Sequence, residues 1–353
     1  MGDPKKFNVI VAAGDRGKSH PVLGRNKAFL DVAGLPIIAR VVKALDESES
    51  VSEIYVVGPK GKLEEALSPE RGSPRFAKPI HIFEQRSTLY ENIWHTFLET
   101  LPEYRRGIPV EEIARGPSAD AVVLVVASDM PLLTATEVDE FVSKCDIESH
   151  DYMVGVTLKE DLKHYYPSEG KPGIKLAYMH FREGSMRQNN MHMVRPFSVQ
   201  NRHYVQTMYD LRYQKEFVNI VRLAWEILKT EEGGWGALGY YLLLQLSLMF
   251  ARLHLIWFKE QIRKVTHAES VVKCISKLMK ARFGYALTSL GGAALDVDKE
   301  REYEAIKARF SEWMEYLSEK AGQKGKGPQL NSLTLPSPTG RGLGEGERHD
   351  RNL

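Results

Sequence analysis

The strongest constraint in this chain is a set of short apolar runs, each ending in a polar or glycine-bearing loop and separated by segments of helical spacing. Phe7–Ala13 runs into Gly14, and Glu53–Val57 stops at Gly58-Pro59. Ile80–Phe83 precedes a polar loop, and Ala121–Ala127 leads into Asp129-Met130-Pro131. Such runs, without polar alternation, read as strands buried on both faces, the condition of a parallel sheet. Between them, Leu35–Leu45 has helical spacing with Pro36 suited to a first turn, Tyr90–Leu98 reads as a second helix, and a third is expected from near Thr134. Strands alternating with helices imply right-handed crossovers, so the expected fold is α/β: a doubly wound, mostly parallel sheet with helices on both faces. Ligands of such sheets bind at the carboxyl ends of strands. Gly14 and Asp129 each follow such an end and point to one rim.

Beyond Asp151 the pattern changes. Tyr152–Leu158, Ile174–Phe181 and Met191–Pro196 read as strands, and the chain then becomes almost wholly helical and rich in Leu, Met, Tyr and Trp. Sheet character returns near Tyr285–Val297, followed by a charged helix from Lys299 to about Lys320. The expected division is a first part of the core over 1–204, a helical insertion over 205–284, a return to the core over 285–321, and a Gly-, Pro-, Ser- and Arg-rich disordered tail over 322–353. Gly236–Phe258 is long and apolar, but Gln245, Arg252 and His254 interrupt it. Burial within the subdomain or a homodimer is preferred to membrane contact.

Charge and cysteine content narrow the partners and the compartment. Lys plus Arg number 48 against 46 Asp plus Glu, a formal charge of +2, which gives no electrostatic case for nucleic acid. Cys145 and Cys274 have no metal-type spacing and read as free thiols in a reducing compartment. No basic-then-apolar leader follows Met1, and a cytoplasmic location is expected.

The chemistry is concentrated in Val11–Ile38. A small-residue turn after a strand lets backbone amides approach a polyphosphate, and Arg16, Lys18, Arg25 and Lys27 add positive charge to the same loop. The string resembles the nucleotidyltransferase superfamily, especially its MobA-like NTP transferase branch. That family opens with a strand, a small-small-Gly turn, a basic loop, a lysine, and Gly-x-Pro-Leu/Ile seven residues after the lysine. The matching positions are Ala12, Ala13 and Gly14, then Lys27, then Gly34-Leu35-Pro36-Ile37. The resemblance implies a Rossmann-like nucleotidyltransferase fold in which the Gly14 loop wraps the nucleotide phosphates and Lys27 neutralises charge in the transition state. The family's Arg-Met is replaced by Lys18-Ser19, which supplies charge without arginine's bidentate fork.

Two acidic motifs complete the pattern. Asp129 follows the most apolar strand. By itself it reads equally as a turn or capping carboxylate, whereas the resemblance makes it a Mg²⁺ ligand. Asp296-Val297-Asp298 resembles the loop that ends the catalytic domain in relatives, with Asp298 the better match for a second metal ligand and Asp296 the alternative; the family's Thr-Pro is replaced by Lys299-Glu300. Helix capping by Asp298 is the competing reading. Relatives also place nucleotide contacts at Ser87, Thr88 and Asn92, where capping explains the first two nearly as well. Acceptor contacts are placed at Lys175, Arg187 and Asn189, against a solvated hairpin turn.

The implied reaction transfers NMP from an NTP to a phosphorylated small-molecule acceptor, with Mg²⁺ as cofactor and pyrophosphate as product. A dinucleotide-dependent oxidoreductase would need Gly-x-Gly-x-x-Gly after the first strand, which Gly14-Asp15-Arg16-Gly17 does not supply. A nucleotide-sugar glycosyltransferase using Asp296-Val297-Asp298, and a non-catalytic nucleotide-binding homologue, remain as alternatives.

Overall fold

The computed structural model describes residues 5–16, 21–202, 204–206 and 267–324. Strand β1 (Phe7–Ala12) is followed by a 3₁₀ turn at Lys27–Phe29 and by a small hairpin of β2 (Asp31–Val32) and β3 (Leu35–Pro36). Ala33 (φ 48°) and Gly34 (φ 82°) both adopt the left-handed backbone that a two-residue hairpin turn demands. Then come α1 (Ile37–Glu47), β4 (Val51–Gly58), α2 (Lys60–Ala66), β5 (Ile80–Glu84) and α3 (Leu89–Glu99). Single-turn helices α4 (Pro102–Arg105) and α5 (Val110–Ile113) precede β6 (Val123–Ala127), α6 (Ala135–Lys144) and β7 (Tyr152–Leu158). Strands β8 (Met179–Phe181) and β9 (Gly184–Val194), helix α7 (Ala268–Met279), strand β10 (Phe283–Thr288) and helix α8 (Glu300–Lys324) complete the described elements.

The main sheet runs β5-β4-β1-β6-β9-β7-β10, with β8 paired to β9. Strand β1 is parallel to β4 and β6, β4 to β5, and β7 to β10, while β9 is antiparallel to both of its central neighbours. Strand side chains alternate between the two faces. Val9 and Val11 join the large core with Ile38 of α1, Phe141 of α6 and Trp313 of α8, whereas Ile10 packs with Tyr55 and with Phe97 of α3. The sheet is therefore covered on both faces, as the non-alternating apolar runs require.

From β1 the chain steps outward to β4 and β5, then returns to place β6 on the other side of β1. This reversal makes the carboxyl ends of β1 and β6 a topological switch point, the place where α/β sheets bind ligands.

Three expectations are revised by the structure. Only Met179–Phe181 of the expected Ile174–Phe181 strand pairs, because Pro172-Gly173 starts an irregular connection held by Ile174 N–H donating to Tyr165 O at 2.8 Å. The short strand expected at Met191–Pro196 is the second half of β9, which begins at Gly184, so Arg187 and Asn189 lie inside a strand instead of a hairpin turn. Residues 322–324, expected in the tail, are helical, since α8 continues to Lys324. Of the expected insertion over 205–284, α7 packs Met279 against Val199 and Tyr204 beside the sheet. Residues 207–266, with the apolar Gly236–Phe258, and residues 325–353 lie outside the described residues. No helix among the described residues is long and apolar enough to cross a membrane.

Candidate active site

The first wall of the site is the turn after β1. Ala13 N–H donates to Val57 O at 2.8 Å and extends β1's pairing to the sheet rim. A Cβ on Gly14 would stand 2.9 Å from Asn92 Nδ2 and 3.3 Å from Gln85 Oε1, so this loop packs closely on α3 and a side chain there would push those two amides aside. Gln85 locks the loop reciprocally. Its Oε1 accepts from Asp15 N–H at 2.8 Å and its Nε2 donates to Asp15 Oδ1 at 2.6 Å. Arg16 reaches the same segment, donating to Gln85 O at 3.1 Å and pairing with Glu84 at 3.4 Å.

Lys27 is positioned by its neighbour. Asn26 caps the 3₁₀ turn, its Oδ1 accepting from Ala28 N–H at 3.0 Å, while its Nδ2 donates to Ala13 O at 3.1 Å. One side chain thus ties the Lys27 backbone to the end of β1. The Lys27 ammonium stands 2.8 Å from Asp129 Oδ2 and 2.7 Å from Asp298 Oδ1. Burial alone pulls its pKa down, but the two carboxylates outweigh that pull and hold it above the ordinary lysine value.

The acidic loop reaches Asp129 through backbone. Val297 N–H donates to Asp129 O at 3.0 Å, and Asp298 N–H donates to Glu302 Oε2 at 3.1 Å at the start of α8. Tyr303 of α8 donates its hydroxyl to Asp31 O at 2.6 Å, fastening the helix to the hairpin beside Lys27. On the other side of the loop, the buried Glu137 of α6 accepts from Gly291 N–H at 3.0 Å and Ala293 N–H at 2.9 Å. Burial pushes the Glu137 carboxyl up to about 7 against those two donors.

One carboxylate oxygen from each of Asp129, Asp296 and Asp298 lies within 4.8 Å of the others. Three clustered hard oxygen donors suit Mg²⁺, which takes oxygens at about 2.0–2.1 Å in an octahedron and commonly keeps several waters. Asp296 is the most enclosed, its side chain 9% exposed and paired with Arg187 at 2.6 Å. Burial raises its carboxyl above the usual range, and the Asp129 and Asp298 charges add to that against the pull of Arg187.

The expected contacts divide into groups. Lys27, Asp129, Asp296 and Asp298 meet at the switch point, beside the turn formed by Ala12, Ala13 and Gly14. The Asp298 carboxylate faces Lys27. Thr88 is the N-cap of α3 in a full capping box with Glu91, whose carboxylate also takes the Ser87 amide, so a capping role for this pair is satisfied without a ligand. Asn92 is buried and accepts from Arg86 N–H at 2.6 Å, supporting the loop from below. Arg187 donates to Ala294 O at 2.8 Å as well as to Asp296, which makes it the counter-ion of that carboxylate. Lys175 is exposed, two residues before Ala177, whose carbonyl accepts from Arg187.

Asn189, expected at the acceptor, is fully buried, donates to Thr288 Oγ1 at 3.0 Å, and packs onto Gly155 so tightly that a Cβ there would lie 2.0 Å from its Oδ1. A side chain so enclosed supports the sheet where β9 meets β7. Lys18 lies outside the described residues. Sequence reasoning missed Asn26, Gln85 and Glu137. Asparagine before a turn and a polar residue just past β5 were signals for the first two. Thr134-x-x-Glu137 has capping-box spacing, but the glutamate turns to the far loop instead.

Residues 9–166 match the model of the MobA-like NTP transferase domain. The chain is 26% identical over 157 residues to 2-C-methyl-D-erythritol 4-phosphate cytidylyltransferase of Chlorobium luteolum, covering 44% of this chain and 61% of that protein. It is 28% identical over 146 residues to the protein of the same name from Parasynechococcus marenigrum, covering 40% and 62%. The chain thus spans about three fifths of the length of the curated relatives it matches. A hypothetical transferase from Thermus thermophilus superposes with a TM-score of 0.51 at 17% identity, covering 84% of this chain and 99% of that one, a likeness of fold. The similarity to the MobA-like NTP transferase domain therefore covers residues 9–166, a little under half of the chain.

Proposed function

We propose that the protein is a Mg²⁺-dependent nucleotidyltransferase that moves a nucleoside monophosphate from an NTP to a phosphorylated small-molecule acceptor. The observation that carries this reading is the meeting of Lys27, Asp129 and Asp298 at ion-pair distance at the switch point, beside the Gly14 turn. An acceptor phosphate oxygen attacks the α-phosphorus in line, the α–β anhydride bond breaks, and pyrophosphate leaves without a covalent enzyme intermediate.

Asp129 and Asp298, with Asp296 behind them, would hold Mg²⁺, which would supply charge neutralisation along the triphosphate. Amides of the Gly14 loop bind phosphate oxygens, as backbone N–H groups in such turns do. The Lys27 ammonium meets the charge that grows on the α-phosphate, where its effect is largest in the transition state. Asn26 and Gln85 keep the lysine and the loop in register before substrate arrives, so little reorganisation remains at the moment of reaction. Arg187 holds Asp296 in place, and the exposed Lys175 offers a positive charge to the acceptor phosphate.

The test is pyrophosphate release from purified protein with Mg²⁺, each NTP in turn and a panel of phosphorylated alcohols and sugars. CTP with 2-C-methyl-D-erythritol 4-phosphate belongs in that panel, because the curated relatives carry that activity in their names. Release that needs both NTP and acceptor is expected. Silence across the whole panel with folded protein would defeat the reading.

A further inference from the structure

We propose that Lys27 is the resident counter-ion of the carboxylate cluster, and that its ammonium competes with a divalent cation for the Asp129 and Asp298 oxygens until a triphosphate draws it away. This deepens the functional reading above and rests on it for the identity of the anion that takes the lysine.

The competition follows from position. The Lys27 nitrogen lies between Asp129 Oδ2 and Asp298 Oδ1, 2.8 and 2.7 Å from them. A cation bridging the same two carboxylates through oxygens at about 2.1 Å would sit on nearly the same point. Two positive centres cannot share that space, so metal entry and lysine departure are one event. Formal charge agrees: Asp129, Asp296 and Asp298 face the two cations Lys27 and Arg187, leaving the cluster one charge from neutral before any metal binds.

The anchor allows the departure. Asn26 fixes the Lys27 backbone to Ala13 O, beside the phosphate-binding turn, while the lysine stem is a flexible four-carbon chain. The ammonium can therefore swing from the carboxylates toward a phosphate at the Gly14 loop without backbone motion. Metal and nucleotide then favour each other's binding, and by linkage the coupling is equal in both directions.

Mn²⁺, which shares the oxygen preference of Mg²⁺, is the probe, titrated by electron paramagnetic resonance or calorimetry without nucleotide. Wild type should bind it weakly, and Lys27→Met should bind it some 5- to 150-fold more tightly, the usual range of coupling between sites. Asp129→Asn in the Lys27→Met background should abolish the gain. A non-hydrolysable NTP analogue should raise the Mn²⁺ affinity of wild type by a larger factor than that of Lys27→Met. Unchanged or weaker Mn²⁺ binding by folded Lys27→Met overturns the proposal, as does a gain that survives loss of Asp129. If Lys27→Met does not fold, Lys27→Gln replaces it under the same criteria. None of these arms involves turnover. A gain in Mn²⁺ affinity by Lys27→Met with no transferase activity in wild type sinks the functional reading alone, and wild-type activity without the gain sinks the exchange alone.

Discussion

The backbone amide of Val297 donates to the carbonyl oxygen of Asp129 at 3.0 Å. That bond carries the acidic loop before α8 to the end of β6, so carboxylates from two distant segments stand within 4.8 Å of one another. Because the contact is made by backbone, substitution of either aspartate side chain leaves the juxtaposition of the loops in place. The site can therefore be dissected by mutation without dismantling it.

Asp129→Asn and Asp298→Asn keep side-chain volume and remove a ligand charge, and each should abolish pyrophosphate release while the melting temperature shifts little. Asp296→Asn is expected to reduce turnover less and stability more, since it leaves the Arg187 guanidinium facing a neutral amide in a largely enclosed setting. Steady-state kinetics with thermal melts check the pattern; a reversed order of Asp296 and Asp298 would exchange their assigned roles.

Lys27→Ala should lower kcat on the order of a hundredfold or more, the scale of losing one positioned donor at a reacting centre. The dissociation constant for NTP should change far less. An effect confined to NTP affinity would mean that the lysine acts only in ground-state binding.

Asn26→Ala tests whether the lysine must be held as well as present. The variant loses the cap on the Lys27 turn and the bond to Ala13 O. It should cost about 1 kcal/mol of stability, and it should lower kcat through a misplaced Lys27. Stability loss with full kcat would assign Asn26 to folding alone.

Glu137 should make stability depend on pH. Its carboxyl is raised in the folded protein from 4.5 to about 7, so the native state keeps a proton that the unfolded chain has released. The stabilising contribution is present below about pH 4.5, is lost as pH rises toward 7, and stays lost above that. The slope in that window is at most about 1.4 kcal/mol per pH unit. Denaturant melts of wild type and Glu137→Gln at pH 5, 6, 7 and 8 isolate the effect, because the glutamine cannot titrate. Parallel pH profiles for the two proteins would show that Glu137 is ionised throughout.

The sequence by itself determined the layers and the rim. Non-alternating apolar runs such as Val9–Val11 and Val123–Val126 can be satisfied only when both faces are covered, and all are buried. The turn after Ala13 and the aspartate after β6 were legible because a ligand-binding rim lies where strands end. Lys27 and the acidic pair were legible by motif. Only the tertiary structure decided that Asp296 is the enclosed carboxylate and Asp298 the one facing Lys27, since alternate residues of one loop are distinguished by what packs on each side. It also decided that Asn189 is core, because burial in β9 depends on Gly155 from the adjacent β7 and on Thr288 from β10 beyond it. Asn26, Gln85 and Glu137 acquire their roles from partners on other elements. Polar side chains like these read as surface or caps in one dimension, and only the chain's return past itself supplies the amides and carbonyls that they satisfy.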